Sequence, residues 1–412
     1  MIYTTTRKAV PVLIGIVFGI FFATACATFI SPLEKAEQNF NEKNYDAALQ
    51  NLNQYIQEHP NDAEALLYKL RVLDESAKSL ASPSERTGIY RDMKNTSESI
   101  HFMDASEETI TEADSVIAIA RNREQQNGIE LLQKDESEVY DQNFEEIIYH
   151  LENALILDSR NETVYNLKAT TYYRHGDIDK ALSTLETGVE ILPEASDELI
   201  EKLAYFYLES GKIDNAIRSY ENLLENSPEN QNYLHGLVNS YILGNQHGNA
   251  IELLENLVTD DPDNELYKQT LASEILFDLN EKIDKALTEK EVTTGLTAER
   301  ITLLYTRVED LNSERSVRQV SDFESNHSVA GLYKNSAFRI YELARFVSAE
   351  NEDEADDLRR VADNFLRSSL SVWEKLAEDN PENTDVARNL YQVYVQLNMK
   401  DNADMIRKNF NF

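Results

Sequence analysis

Apolar positions recur along this chain with a period of about 34 residues. One small or apolar position returns at Ala48, Ile147, Ala181, Ala216 and Ala250, the last four spaced 34, 35 and 34 residues apart. Four residues after each stands a large side chain: Leu52, Leu151, Leu185, Tyr220 and Leu254. Seven after come Tyr55, Ala154, Gly188, Leu223 and Leu257. Steps of four and seven return to one face of an α-helix, so each register predicts a helix with a single apolar stripe. Twelve after come Pro60, Ser159, Pro193, Pro228 and Pro262. Proline cannot continue a helical hydrogen-bond ladder and restricts the residue before it, so these positions predict where the helix stops.

A second stripe precedes the first. Ala36, Ala169, Ala204 and Val238 stand twelve residues before the anchor position, and Tyr172, Tyr207 and Tyr241 nine before. Between the stripes lie Lys43-Asn44-Tyr45-Asp46, Gly176-Asp177-Ile178-Asp179 and Gly211-Lys212-Ile213-Asp214. Gly176 and Gly211 supply a left-handed residue to end the first helix. The Asp of each turn is expected to cap the second helix by accepting a backbone N–H. Each unit thus reads as two antiparallel helices, which cannot bury their apolar face unless they stack on a neighbour.

This set of columns resembles the tetratricopeptide repeat (TPR), strongly over 135–264 and well over 29–62. The family's early tryptophan is missing from these units, and the chain's one Trp, Trp373, falls on a second helix instead. The resemblance implies an all-α fold, a superhelical array of antiparallel helix pairs. The layout expected is an N-terminal signal or anchor segment over 1–25, TPR-like helices over 29–76, and a Ser- and charge-rich insertion with a long helix over 77–134. A core TPR array over 135–287 follows, then irregular helices and loops over 288–330 and further TPR-like helices over 331–412. Within 77–134, residues 77–108 read as a loop or insertion, with the long helix starting near 107. The C-terminal units run through Ser369, Trp373, Leu376 and Pro381, then Leu390, Tyr391, Tyr394 and Ala403.

The N-terminus has its own pattern. Arg7 and Lys8 precede an uncharged run from Val10 to Ile30, VPVLIGIVFGIFFATACATFI. A basic start, an apolar stretch and small residues are the layout of a secretory signal peptide. The run ends Ala23-Thr24-Ala25-Cys26, and Cys26 is the only cysteine. This resembles a bacterial lipobox, whose cysteine becomes the lipidated first residue, although the family usually has Leu where Ala23 stands. Two other readings remain open: an uncleaved membrane-spanning anchor, and cleavage after Ala25 or Ala27 to give a soluble exported chain. All three export the rest of the protein. Under the lipoprotein reading, Ala27 rather than Asp after the cysteine implies the outer membrane.

Charge removes several functions. Lys and Arg total 39 against 74 Asp and Glu, a formal net charge of −35. Nucleic acid and anionic lipid both demand a cationic surface. One Cys permits no internal disulfide and no cysteine cluster for a metal. Twelve Gly and eight Pro suit long helices with short turns. No G-x-S-x-G, P-loop, G-x-G-x-x-G or H-E-x-x-H occurs, so the chain is read as a non-enzyme without a cofactor or metal. The acidic runs at 260–263 and 350–354 read as turns and helix starts, where negative charge is favourable.

In TPR proteins the first helix of each unit lines a concave groove. The resemblance therefore nominates Asn166, Thr170, Tyr173 and Arg174, then Glu201, Tyr205 and Glu209, then His235 and Asn239 as partner-binding residues. Glu201 would repel a carboxylate, so a neutral or basic segment suits this groove better. The function implied is an exported, membrane-anchored TPR scaffold that binds a protein or peptide partner of the bacterial cell envelope, with Cys26 as the lipidation site. The alternative is an envelope protein that binds a glycan or small ligand, with Tyr173, Tyr205 and Tyr241 stacking on a sugar ring, although Tyr241 also belongs to the packing column.

Overall fold

The computed structural model describes residues 30–134, 137–293, 295–312 and 323–410. The apolar run through Cys26 lies outside the described residues. The described residues form helices α1 to α18 and no strand. They fall into two compact units divided between Ser159 and Arg160.

The first unit holds α1 (Pro32–Asn41), α2 (Tyr45–Glu58), α3 (Ala63–Ser79), α4 (Pro83–His101), α5 (Glu107–Gln133) and α6 (Ser137–Leu157). The α1/α2 pair is a repeat hairpin, with Ala36, Ala48 and Leu52 fully buried. The stretch expected as a loop is instead the five-turn helix α4. Pro83 sits in its first turn, where a missing N–H costs nothing. Gly88 is open to solvent and opposes nothing. The abundant hydroxyls are absorbed by the helix itself: Thr96 Oγ1 donates to the Asp92 carbonyl at 2.7 Å, and Ser99 Oγ to that of Asn95 at 2.8 Å.

A charged cluster lies inside this unit. Glu124 of α5 is wholly buried. It accepts from Tyr90 Oη at 2.6 Å and His150 Nδ1 at 2.7 Å, and Arg86 Nε stands 2.9 Å away. Arg86 Nε is not aligned for a hydrogen bond, but Arg86 Nη2 donates to the same carboxylate at 3.4 Å. Arg86 Nη1 donates to the Leu80 carbonyl at 2.9 Å. Arg123 Nη2 continues the cluster to Asp74 at 2.8 Å. Burial opposes ionisation of Glu124, but the bonds from His150 and Tyr90 and the charge of Arg86 outweigh it, and the carboxyl is held below its usual range. Three helices, α4 to α6, are thereby tied through one carboxylate, and the Arg123–Asp74 pair joins α3 to them.

The second unit runs α7 (Glu162–Arg174), α8 (Ile178–Ile191), α9 (Asp197–Glu209), α10 (Ile213–Asn226), α11 (Gln231–Leu243), α12 (His247–Asp260), α13 (Glu265–Glu289), α14 (Ala298–Asn312), α15 (Phe323–Val347), α16 (Glu352–Asp379), α17 (Thr384–Gln396) and α18 (Lys400–Phe410). The pairs α7/α8, α9/α10, α11/α12 and α17/α18 share one turn geometry with α1/α2. In each, the residue five before the anchor alanine has a positive φ: Lys43 60°, Gly176 83°, Gly211 74°, Asn245 53° and Asn398 59°. The next N–H reaches back to the carbonyl of the first helix, as in Lys212 to Tyr207 and Gln246 to Tyr241, both at 2.8 Å. This closure fixes the hairpin angle by satisfying carbonyls the helix end would leave bare.

The expected aspartate caps are met only in part. Asp177 accepts from the Lys180 N–H at 3.1 Å, but α10 starts at Lys212 with no side-chain cap, and α2 is capped by Asn44. Asp46 and Asp214 sit inside the first turn, where they complement the helix dipole rather than bind an end N–H.

Between hairpins, a tyrosine of one unit bonds a glutamate of the unit before. Tyr207 Oη donates to Glu186 at 3.1 Å, Tyr241 to Glu221 at 2.9 Å and Tyr394 to Glu374 at 2.8 Å. Each glutamate stands five residues after an anchor position, Ala181, Ala216 and Ser369. Ser369 Oγ meets the Ala330 carbonyl at 2.8 Å, so the hydroxyl is satisfied where alanine usually packs. Trp373 is fully buried. The helices α13, α15 and α16 are about twice the repeat's usual length and run through the interval where a hairpin turn is expected. Among the described residues no helix is long and apolar enough to cross a membrane.

Candidate partner-binding groove

Three helix starts set up the candidate surface. Asn161, Ser196 and Asn230 cap α7, α9 and α11 with their side chains. Glu162, in the first turn of α7, accepts the Ser196 backbone N–H at 3.2 Å and also the Ser196 hydroxyl, which aligns the beginnings of α7 and α9. The two helices then present matching turns to each other.

One turn further, Asn166 Nδ2 donates to Glu198 at 3.2 Å, while its carbonyl oxygen accepts from Lys202 Nζ. Lys202 Nζ also donates to Thr170 Oγ1 at 3.1 Å. Desolvation lowers the Lys202 pKa, and the charge of Glu198 opposes that shift. At the far end an aromatic group closes the site. Tyr173 stacks on Phe206 with centroids 4.9 Å apart and planes 18° apart. Its hydroxyl lies 3.2 Å from that of Tyr205, the rings meeting edge to face. Tyr173 and Tyr205 keep 36% and 42% of their surface exposed.

Thr170, Tyr173, Glu198, Glu201, Lys202, Tyr205, Phe206 and Tyr220 enclose a cleft of about 420 Å³. Tyr220 comes from α10 and reaches the cleft because Gly236 of α11 offers no side chain: a Cβ there would stand 2.3 Å from the Tyr220 ring. Burial, and the nearby Glu201 charge, push the Tyr220 phenol up to about 12. The Glu201 pKa is raised by its own burial and by Glu198. The hydrogen bond with Tyr173, burial and the neighbouring Glu209 raise that of Tyr205.

Of the nominated residues, Asn166, Thr170, Tyr173, Glu201 and Tyr205 come together here, with Glu209 exposed beside Tyr205. Asn166 and Thr170 are occupied in holding Lys202 and Glu198. Arg174 is exposed at the end of α7. His235 and Asn239 do not line the cleft: His235 Nε2 is bonded to Tyr267 Oη of α13, and Asn239 is exposed on α11. The residues missed are Glu198, Lys202, Phe206 and Tyr220. Residues 198, 202, 205 and 209 follow the helical steps of four, three and four, so the stripe was present in the sequence one position away from the Glu201 register. Among the described residues no group of His, Cys, Asp or Glu is arranged to hold a metal ion.

These features define a stacked-hairpin repeat protein with a cleft on its first helices. Residues 207–274, from α9 into α13, match the tetratricopeptide repeat family model. No curated protein matches the sequence. Among solved structures, similarity extends to Naa15/Naa10 bound to HypK-THB, at 13% identity and a TM-score of 0.30, covering 92% of this chain but only 63% of that one. A tetratricopeptide repeat protein from Parabacteroides merdae is 13% identical, with 80% of this chain and 97% of that chain covered and a TM-score of 0.29. The Pseudomonas aeruginosa protein pilF is 12% identical, with 66% and 97% covered and a TM-score of 0.33.

Proposed function

We propose that this protein is an exported, membrane-anchored scaffold of the bacterial cell envelope, facing the periplasm from the outer membrane and held there through lipid on Cys26. Its repeats hold a protein or peptide partner and carry out no reaction. Tetratricopeptide repeats in general mediate protein–protein interaction, and the observation that carries the reading here is the exposed Tyr173–Tyr205 pair at the mouth of the α7/α9 cleft. Exposed aromatic rings on a rigid helical face are the side chains that dominate binding energy at protein interfaces. The Arg7-Lys8 start, the apolar run and the single cysteine at its end support export and anchoring.

Two measurements test this. Mass spectrometry of the mature N-terminus should find an acylated Cys26; an intact Met1 would replace the lipid anchor by an uncleaved one. Isolation from membranes should recover a specific envelope protein with the native chain and lose it with Tyr173→Ala/Tyr205→Ala. Equal recovery by both would remove the cleft from the account.

A further inference from the structure

We propose that the α7/α9 cleft is a receptor for one cationic side chain, arginine above all, carried by an extended segment of the partner. The inference rests on the groove reading above and names what the groove selects. Its basis is an imbalance of charge inside an aromatic enclosure. Glu201 lines the cleft half-buried, and among the described residues no hydrogen bond or ion pair reaches its carboxylate. The cleft's own cation does not neutralise it. Lys202 also lines the cleft, but its amine is hydrogen-bonded to the neutral oxygens of Asn166 and Thr170 rather than to Glu201. Glu198 accepts from the Asn166 amide and its charge is felt by Lys202, while Glu209 adds a further negative charge bonded to Tyr205. Two carboxylates therefore share the cleft with one lysine, and a third stands beside Tyr205 at its mouth.

A desolvated carboxylate without a partner is costly in a folded protein, and an incoming cation removes that cost. The surrounding rings narrow the choice of cation. Tyr205 and Tyr173 offer exposed ring faces and edges, and Phe206 and Tyr220 form buried walls. A guanidinium can lie flat on a tyrosine face while donating two parallel bonds to a carboxylate, which an ammonium cannot do. An acidic or phosphorylated side chain would meet Glu198, Glu201 and Glu209 and be rejected. The felt charge is visible on the neighbours: Glu201 contributes to raising the phenols of both Tyr220 and Tyr233.

The test uses the purified full chain and fluorescein-labelled twelve-residue peptides that are identical except for one central residue: Arg, Lys, Ala or Glu. Fluorescence anisotropy should rank Arg ahead of Lys and Lys ahead of Ala, with Arg at least about tenfold tighter than Glu. Raising the salt should weaken the Arg peptide most. Glu201→Gln should erase most of the Arg-over-Ala preference while leaving the circular-dichroism melting curve in place. Tyr205→Leu should bring Arg down to the level of Lys. Equal binding of the Glu and Arg peptides, or an Arg preference unchanged by Glu201→Gln, overturns the inference and leaves the groove reading intact. Failure of the whole peptide set, with partner recovery still dependent on Tyr173 and Tyr205, also overturns it. Loss of that dependence overturns the groove reading itself.

Discussion

Replacing Glu124 by alanine should cost the first unit most of its stability. The carboxylate has no exposed surface and is the meeting point of Tyr90, His150 and Arg86. Removing it strands the Arg86 charge in a site where that residue is itself buried. Breaking one side of a buried ion pair costs about 3–5 kcal/mol, because the remaining charge is left uncompensated. With a urea slope of about 1–3 kcal/mol per molar, that is a midpoint shift of about 1 M or more. Far-UV circular dichroism should show helix lost at lower urea. The emission of Trp373, the chain's only tryptophan, reports the second unit separately. Acid should act in the same direction. The folded pKa of Glu124 lies below its unfolded value, so the contribution is complete above the unfolded value near about 4.3 and fades as pH falls through the folded one. A loss under about 1 kcal/mol on Glu124→Ala would refute the reasoning, since it would mean that the cluster is hydrated or easily rearranged.

The remaining predictions concern the repeats and are read by urea denaturation. Gly211→Ala places a Cβ at φ +74° with open space around it, so the cost is backbone strain alone, about 1–2 kcal/mol. Gly236→Ala instead meets the Tyr220 ring inside a regular helix, for about 1–3 kcal/mol of overpacking less about 1 kcal/mol of gained helix propensity. Adding Tyr220→Leu should relieve that clash, and a double variant no better than the single one would show the ring is not the obstacle. Lys212→Asp should stabilise α10 by about 1 kcal/mol by supplying the cap that α10 lacks, and no gain would show that its first N–H groups are already satisfied.

Much of the repeat was legible because its columns are set by backbone geometry. The anchors Ala48, Ala181, Ala216 and Ala250 are all fully buried, as their spacing implies. The left-handed turn was readable at Gly176 and Gly211, but the same conformation at Lys43, Asn245 and Asn398 gave no glycine signal. Helix α4 was hidden for a different reason. Its buried Thr96 and Ser97 read as polar, yet a hydroxyl that bonds its own helix can be buried on a packed face. In the cleft, the tyrosines and Glu201 were legible from the first-helix register. Lys202 was not, because a lysine reads as surface until the neighbouring helix supplies Asn166 and Thr170 to hold it. Tyr220 was assigned to packing, and it both packs and lines the cleft, since Gly236 leaves room for it.

Under the proposed function, the partner sits on the first-helix face of the repeats, at Tyr205. A photo-crosslinking residue placed at position 205 in cells should yield one discrete adduct with an envelope protein, and the same residue at the exposed position 218 on α10 should yield none. Adducts from position 218 alone, or equally from both, would contradict it.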